Sequence, residues 1–207
     1  MKKDTKQTIL DEALNLFSIN GYEGVTVADI ANAVKIKAPS LYKHYKSKQD
    51  IFDAIIVEMA ERYKRLVTAM QMNGMEAEKD TEIFLNSTNK QLIGMGKELF
   101  LYFLHDDYSR KFRRMLTVEQ YKNPMASNLY VEQYIDSPIF YQSVLFKAFM
   151  EKNTMKNFDV KTAAIHFYAP MFFLLCLCDS CPDREDEALK SIEQHITQFG
   201  EIYMESN

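Results

Sequence analysis

The chain is 207 residues long and 47% hydrophobic, enough for one large or two small domains with a packed core that needs neither metal nor disulfide. A formal net charge of −4 gives no whole-chain signal for a polyanionic partner, and three cysteines grouped at 176, 178 and 181 argue against a disulfide framework. Charge is nevertheless uneven: through Lys48 eight lysines face five acids, which leaves seven net negative charges for the rest, as in a protein that turns one basic face to a polyanion.

No apolar run follows the lysines at the N-terminus, so no signal peptide is expected; Lys2 and Lys3 read as a frayed end, with a DNA-touching arm as the alternative. Helical periodicity then runs along the whole sequence, without an alternating strand or two-residue hairpin, so the fold class is all-α. The first helix spans about Thr5 to Asn20, with Ile9, Ala13, Leu16 and Phe17 on one stripe and Asn20-Gly21 as a left-handed stop. Thr26-x-x-Asp29 has capping-box spacing and opens a short second helix whose apolar face is Val27, Ile30, Ala31 and Val34. Lys35-Ile36-Lys37 leaves room only for a tight turn before a third helix, Ala38 to Tyr45, with Pro39 in its first turn. A fourth helix runs from Lys48 to about Met72.

Beyond Gly74 the expected helices are Thr81 to His105, Ser109 to Tyr121, Pro124 to Ile135, Pro138 to Asn153, Val160 to Cys178 and Asp183 to Met204. Asn123-Pro124, Ser137-Pro138 and Cys181-Pro182 punctuate them. The stretch from Ala163 to Cys178 is apolar nearly all round yet shorter than the ~20 residues of a membrane span, so it reads as a helix of a cytoplasmic protein covered on both sides, by its own domain and by a second subunit.

Two short helices joined by a tight turn, inside a unit of about fifty residues, make a helix-turn-helix. In the second of them Leu41 and Tyr45 are four apart and can face the core, which leaves Ser40, Lys43 and His44 outside for a major groove. The run Phe17-x3-Gly21-Tyr22-x2-Val25-Thr26-Val27-x2-Ile30-Ala31, followed by Ser40-Leu41-Tyr42-x2-Tyr45-Lys46-Ser47-Lys48, resembles the N-terminal domain of TetR-family regulators. Phe112-Arg113-Arg114-Met115-Leu116-Thr117-x-Glu119-Gln120-Tyr121 is also similar to a stretch in some members.

The resemblance implies that Thr26 and Val27 meet the DNA backbone, and that Tyr42 and Lys48 bind phosphate. It places Lys37, Ala38, Pro39, Ser40, Lys43 and His44 against base edges or flanking phosphates. Two positions depart from the family pattern: Lys35 stands where glycine is common in the turn, and Lys37 where serine or threonine caps the third helix. Each departure costs on the order of 1 kcal/mol.

The expected domains are a DNA-binding head, residues 1–48, and a helical regulatory and dimerisation body, residues 49–207. In the last helix Leu189, Ile192, Ile196, Phe199 and Tyr203 recur at helical spacing, the pattern of one helix docked on another. With Phe172 they resemble the paired C-terminal helices through which family members form homodimers. The stretch between head and bundle is rich in aromatics and Met (Phe100, Phe103, Phe112, Met115, Phe140 and Phe146 among them) and reads as core or as an apolar effector cavity. Tyr102, His105, Tyr134 and His166 are its candidate polar anchors.

The three cysteines read as structural, since residues two apart on a helix point to different faces. No metal site and no cofactor are expected. No nucleophile elbow or phosphate-cradling glycine loop is visible, and histidines 44, 105, 166 and 195 form no constellation, so the chain does not read as an enzyme. The leading expectation is a repressor released from a palindromic operator by a small apolar or aromatic effector. The alternative is a constitutive DNA-binding dimer without effector.

Overall fold

The computed structural model describes residues 4–205, which form eleven α-helices and no strand among the described residues. They fall into two compact units. The first holds residues up to Tyr63 together with Asp107–Tyr130; the second holds Lys64–Asp106 and everything from Val131. The expected division after Lys48 differs from this: it falls at the start of a continuous helix, and the first unit also takes in the later segment Asp107–Tyr130.

In the first unit α1 (Thr5–Asn20), α2 (Val27–Val34), α3 (Ala38–Leu41) and the first part of α4 (Lys48–Ala69) are joined by α7 (Asp107–Glu119) and most of α8 (Pro124–Val131). The reason is on the faces of α1 and α7. Ile9, Ala13, Leu14 and Phe17 are fully buried, as are Phe112, Met115 and Leu116. A three-helix head of this size leaves one side of α1 open, and α7 closes it with apolar area. The Tyr108 hydroxyl donates to the Ile55 carbonyl at 3.2 Å and the Arg62 guanidinium lies 4.4 Å over its ring. Burial pushes that phenol far up from its ordinary value.

The turn after α1 depends on Gly21, at φ 76° and ψ 163°. This is not the left-handed helical stop expected from Asn20-Gly21 but an extended positive-φ conformation open almost only to glycine. Its N–H still closes α1 on the Phe17 carbonyl.

The second unit contains the end of α4, α5 (Ala77–Leu85), α6 (Asn89–His105), α9 (Ser137–Glu151), α10 (Val160–Ser180) and α11 (Glu185–Tyr203). One core cluster gathers Phe146, Phe149, Ala163, Ala164, Phe199 and Tyr203, with Phe146 and Phe199 stacked at 5.3 Å. A second gathers Phe100, Leu104, Leu174, Leu175, Ile192 and Ile196.

Two expected boundaries change. The single helix from Thr81 to His105 is two helices, because Thr88 forms a capping box with Gln91 and restarts the chain. Conversely, Ser137-Pro138 does not break the chain. A π turn over Glu132–Asp136 connects α8 to α9. Proline at 138 removes the donor that would reach the Tyr134 carbonyl, and the Tyr168 hydroxyl donates to that carbonyl instead, at 2.8 Å.

α10 also corrects the length argument against a membrane span, since at 21 residues it is long and apolar enough to cross one. Its Ala163, Ala164, Leu174, Leu175 and Cys178 are instead buried in the unit's own core, while Ile165, Phe173 and Cys176 remain outside. Burial pushes the Cys178 thiol up, with Glu185 and Asp179 adding to the shift, which disfavours the reactive thiolate.

Candidate nucleic-acid interface

The start of α2 is built by its own sequence. The Thr26 hydroxyl donates to the Asp29 carboxylate at 2.6 Å and accepts from the Asp29 N–H at 3.2 Å, while the Thr26 N–H reaches the same carboxylate at 2.8 Å. These bonds to Thr26 hold the Asp29 carboxyl below its ordinary value of 3.8. A depressed carboxyl gives support that is present above the unfolded value and lost as pH falls through the folded one. The box therefore persists across neutral pH. It leaves the N–H groups of Val27 and Ala28 aimed out of the helix end, where an anion is favoured, while those of Asp29 and Ile30 close on Thr26.

Both departures in the turn are visible. Lys35 adopts the left-handed conformation at φ 61° and ψ 40°, and the Ile36 N–H closes on the Ala31 carbonyl at 2.9 Å. Lys37 is the N-cap of α3 and makes no side-chain capping bond. The turn thus keeps its geometry with lysine in the place suited to glycine, at a cost of about 1 kcal/mol.

α3 is shorter than expected: regular helix ends at Leu41, and turns carry the chain through His44. The division of faces is nonetheless as expected. Leu41 and Tyr45 are 0% and 4% exposed, whereas Tyr42 is 52% exposed with Lys43 and His44 beside it. Lys37 and Pro39 are exposed and Ala38 and Ser40 half-buried. One short segment therefore presents two lysines, a phenol, a hydroxyl and an imidazole, backed by two anchored core residues. Such a surface can accept phosphates and read base edges. Lys2 and Lys3 lie outside the described residues.

The resemblance gives Lys48 a phosphate role, and in this structure the side chain has partners within its own unit. Its ammonium is turned inward, donating to the Tyr22 carbonyl at 2.9 Å and the Val25 carbonyl at 3.1 Å, 4.1 Å above the Tyr22 ring. Burial pushes the Tyr22 phenol up, and Glu23 and Asp53 add to the shift. The partners of Lys48 were not legible in the sequence because backbone carbonyls leave no residue-type signature.

The four candidate anchors of a ligand cavity do not form one group. His105 is exposed with Nε2 3.0 Å from Glu185, at the first residue of α11; His166 is exposed with Nδ1 2.5 Å from the hydroxyl of Tyr203, at its last. Those ends are about 27 Å apart at the helical rise of 1.5 Å per residue, too far to share one small ligand. Tyr102 is half-buried and meets Phe103 edge-on at 5.5 Å. Tyr134 is buried in the π turn and stacks on Phe172 at 6.0 Å, with Tyr168 on the same ring at 6.0 Å. Phe112 and Met115 are 1% and 0% exposed, within the first unit.

The expected partner-facing set also changes. Ile192, Ile196 and Phe199 are 0%, 6% and 6% exposed, packed inside their own chain, and Phe172 and Leu189 are half-buried beside the same core. An amphipathic stripe states that a helix docks, not on which chain, and α6 and α10 of the same chain take it first. The open apolar stripe is on α10: Ile165, Ala169, Phe173 and Cys176, at spacings of four, four and three. Ile202 on α11 is 56% exposed.

Residues 9–55 match the family model described as bacterial regulatory proteins, tetR family. The biofilm operon icaADBC HTH-type negative transcriptional regulator IcaR of Staphylococcus aureus is 28% identical over 125 residues, covering 60% of this chain and 59% of that protein. The chain thus aligns with about three fifths of the curated relative's length. Among solved structures, a regulator from Mesorhizobium loti superposes with a TM-score of 0.67 at 16% identity, over 97% of both chains. The triclosan complex of SmeT, the Stenotrophomonas maltophilia efflux-pump repressor, gives 0.65 at 15% identity over 98% of this chain and 93% of that one. These likenesses carry the fold across the whole length.

Proposed function

We propose that this chain is a member of the tetR family of bacterial regulatory proteins and a cytoplasmic DNA-binding repressor that works as a homodimer on a palindromic operator. The observation that carries the reading is the face of Lys37, Pro39, Tyr42, Lys43 and His44, exposed together on a segment anchored by Leu41 and Tyr45. The name of the staphylococcal relative, a negative regulator, supports repression over activation. In this reading Tyr42 and the Val27 and Ala28 N–H groups of α2 hold phosphates, while Lys43 and His44 read bases. Lys43→Ala and His44→Ala are then expected to lose about 1–3 kcal/mol on the preferred sequence and to relax preference at one or two base pairs. Competition binding against a panel of single-base operator variants measures it; equal losses on every sequence would remove both residues from base readout.

For the dimer, the second copy covers the α10 stripe of Ile165, Ala169, Phe173 and Cys176. Phe173 is 65% exposed in the single chain, a large apolar cost that pairing removes. Phe173→Asp is expected to give a folded monomer by light scattering, with helical content by circular dichroism unchanged. A dimer of unaltered affinity would move the interface elsewhere.

In this reading the effector binds beside the stacked rings of Tyr168, Phe172 and Tyr134, and what supports it is their aromatic surface next to the π turn between α8 and α9. A solved neighbour binds triclosan, an aromatic ligand, which supports an apolar or aromatic class here. A panel of such compounds should include one that raises the melting temperature of the wild type and releases DNA, with both effects lost in Tyr134→Ala. The stacked rings of Phe146, Phe199 and Tyr203 favour a second reading, a filled body with no effector. A panel without any thermal shift would select it.

A further inference from the structure

We infer that Lys48 is a positioning residue that sets the start of α2 for DNA by bracing the loop before it, with two of its three donors committed to that loop. The inference rests on the DNA-binding reading above. An ammonium has three donors and a flexible stem. Here two of them are on the carbonyls of Tyr22 and Val25, and the group sits 4.1 Å over the Tyr22 ring. Val25 is the residue directly before Thr26, the N-cap of α2, so one of the two bonds fixes the carbonyl at the entrance to that helix.

The neighbour of Lys48 completes the grip. Gln49 accepts from the Tyr22 hydroxyl at 3.1 Å and donates to Asp53 at 2.8 Å. Consecutive residues of α4 therefore hold Tyr22 at both ends, Lys48 by its carbonyl and ring face and Gln49 by its hydroxyl. The ring itself is wedged 5.3 Å from Phe17 and 5.0 Å from Phe52. The start of α4 is secured independently: Ser47 Oγ accepts from the Asp50 N–H at 3.0 Å, and Asp50 accepts from the Lys46 N–H at 2.8 Å. Lys48 is therefore not needed to cap its own helix. It links a capped α4 to the Tyr22–Val25 loop, and through that loop to the capping box of α2. A shift in the first turn of α4 then reaches Thr26 and Val27 through two hydrogen bonds, which makes this brace a route by which the long fourth helix sets the DNA-facing end of the second.

The test compares full-length wild type, Lys48→Met and Lys48→Arg. Methionine keeps the stem over Tyr22 and removes every donor; arginine keeps charge and donors. Without DNA, amide hydrogen exchange over Tyr22–Val27 is expected to be about tenfold faster or more in Lys48→Met. It should stay nearer wild type in Lys48→Arg, with α10 amides unchanged in both. On a duplex selected from a random pool, Lys48→Met should bind about tenfold more weakly, while the slope of log affinity against log salt stays within about half a unit of wild type. A phosphate contact predicts a slope shallower by ~0.9; that result overturns the inference whatever the exchange rates. Unchanged exchange over Tyr22–Val27 overturns it as well. If wild type retains no duplex at any salt, the DNA-binding reading fails separately, and the exchange comparison still decides whether Lys48 holds the loop.

Discussion

Asp80→Ala should lower stability by about 3–5 kcal/mol, a large share of the ~5–15 kcal/mol of a typical domain. Asp80 is fully buried in α5. One carboxylate oxygen accepts from the Asn73 N–H at 2.7 Å; the other accepts from the Gly74 N–H at 2.7 Å and the Tyr141 hydroxyl at 2.6 Å. One side chain thus joins the turn after α4 to α9. Alanine takes the shared acceptor away from three donors, and the loss of an acceptor costs more than the bond itself contributes. The turn cannot relax easily, because Gly74 is at φ +68° and a Cβ there would meet the Val67 side chain at 2.6 Å. Tyr141→Phe removes one donor only and should cost about 1 kcal/mol. Urea denaturation measures both; a loss below about 1 kcal/mol for Asp80→Ala would mean that water replaces the carboxylate without difficulty.

Gly21→Ala should cost roughly 3 kcal/mol and weaken DNA binding with it. Backbone strain at φ 76° and ψ 163° supplies part of that. The remainder is steric, since a Cβ would lie 2.1 Å from Glu119 Oε1, on a side chain only 1% exposed. The two parts can be separated. Glu119→Ala makes room for the methyl group, so the double variant should recover the steric share and keep the strain. If the two single losses add without coupling, the α1–α7 junction is looser than the packing of Gly21 on Glu119 implies.

The sequence announced the helix-turn-helix because its determinants are local. A capping box at Thr26 and Asp29, two core residues four apart at Leu41 and Tyr45, and a turn too short for anything else are all readable within twenty residues. The non-local decisions were hidden. Nothing in α7 says that it packs on α1, and an apolar stripe such as Ile192, Ile196 and Phe199 is the same whether its partner is the same chain or another. Lys48 shows the limit for the site: a lysine in a basic head reads as a phosphate ligand, while the carbonyls that hold it are invisible in residue identities. Pro138 misled for a related reason. Proline signals a missing donor, and only the fold supplies Tyr168 to use the acceptor that it frees.

The proposed function is sequence-specific DNA binding by a two-fold dimer. Selection of bound duplexes from a random pool tests it most directly, with footprinting of the enriched sequence. The expected product is an inverted repeat whose half-sites present successive major grooves about 34 Å apart or a little more, with affinity falling steeply as salt rises and protection lost in Tyr42→Ala. Enrichment of no motif, with all duplexes retained equally, would contradict it.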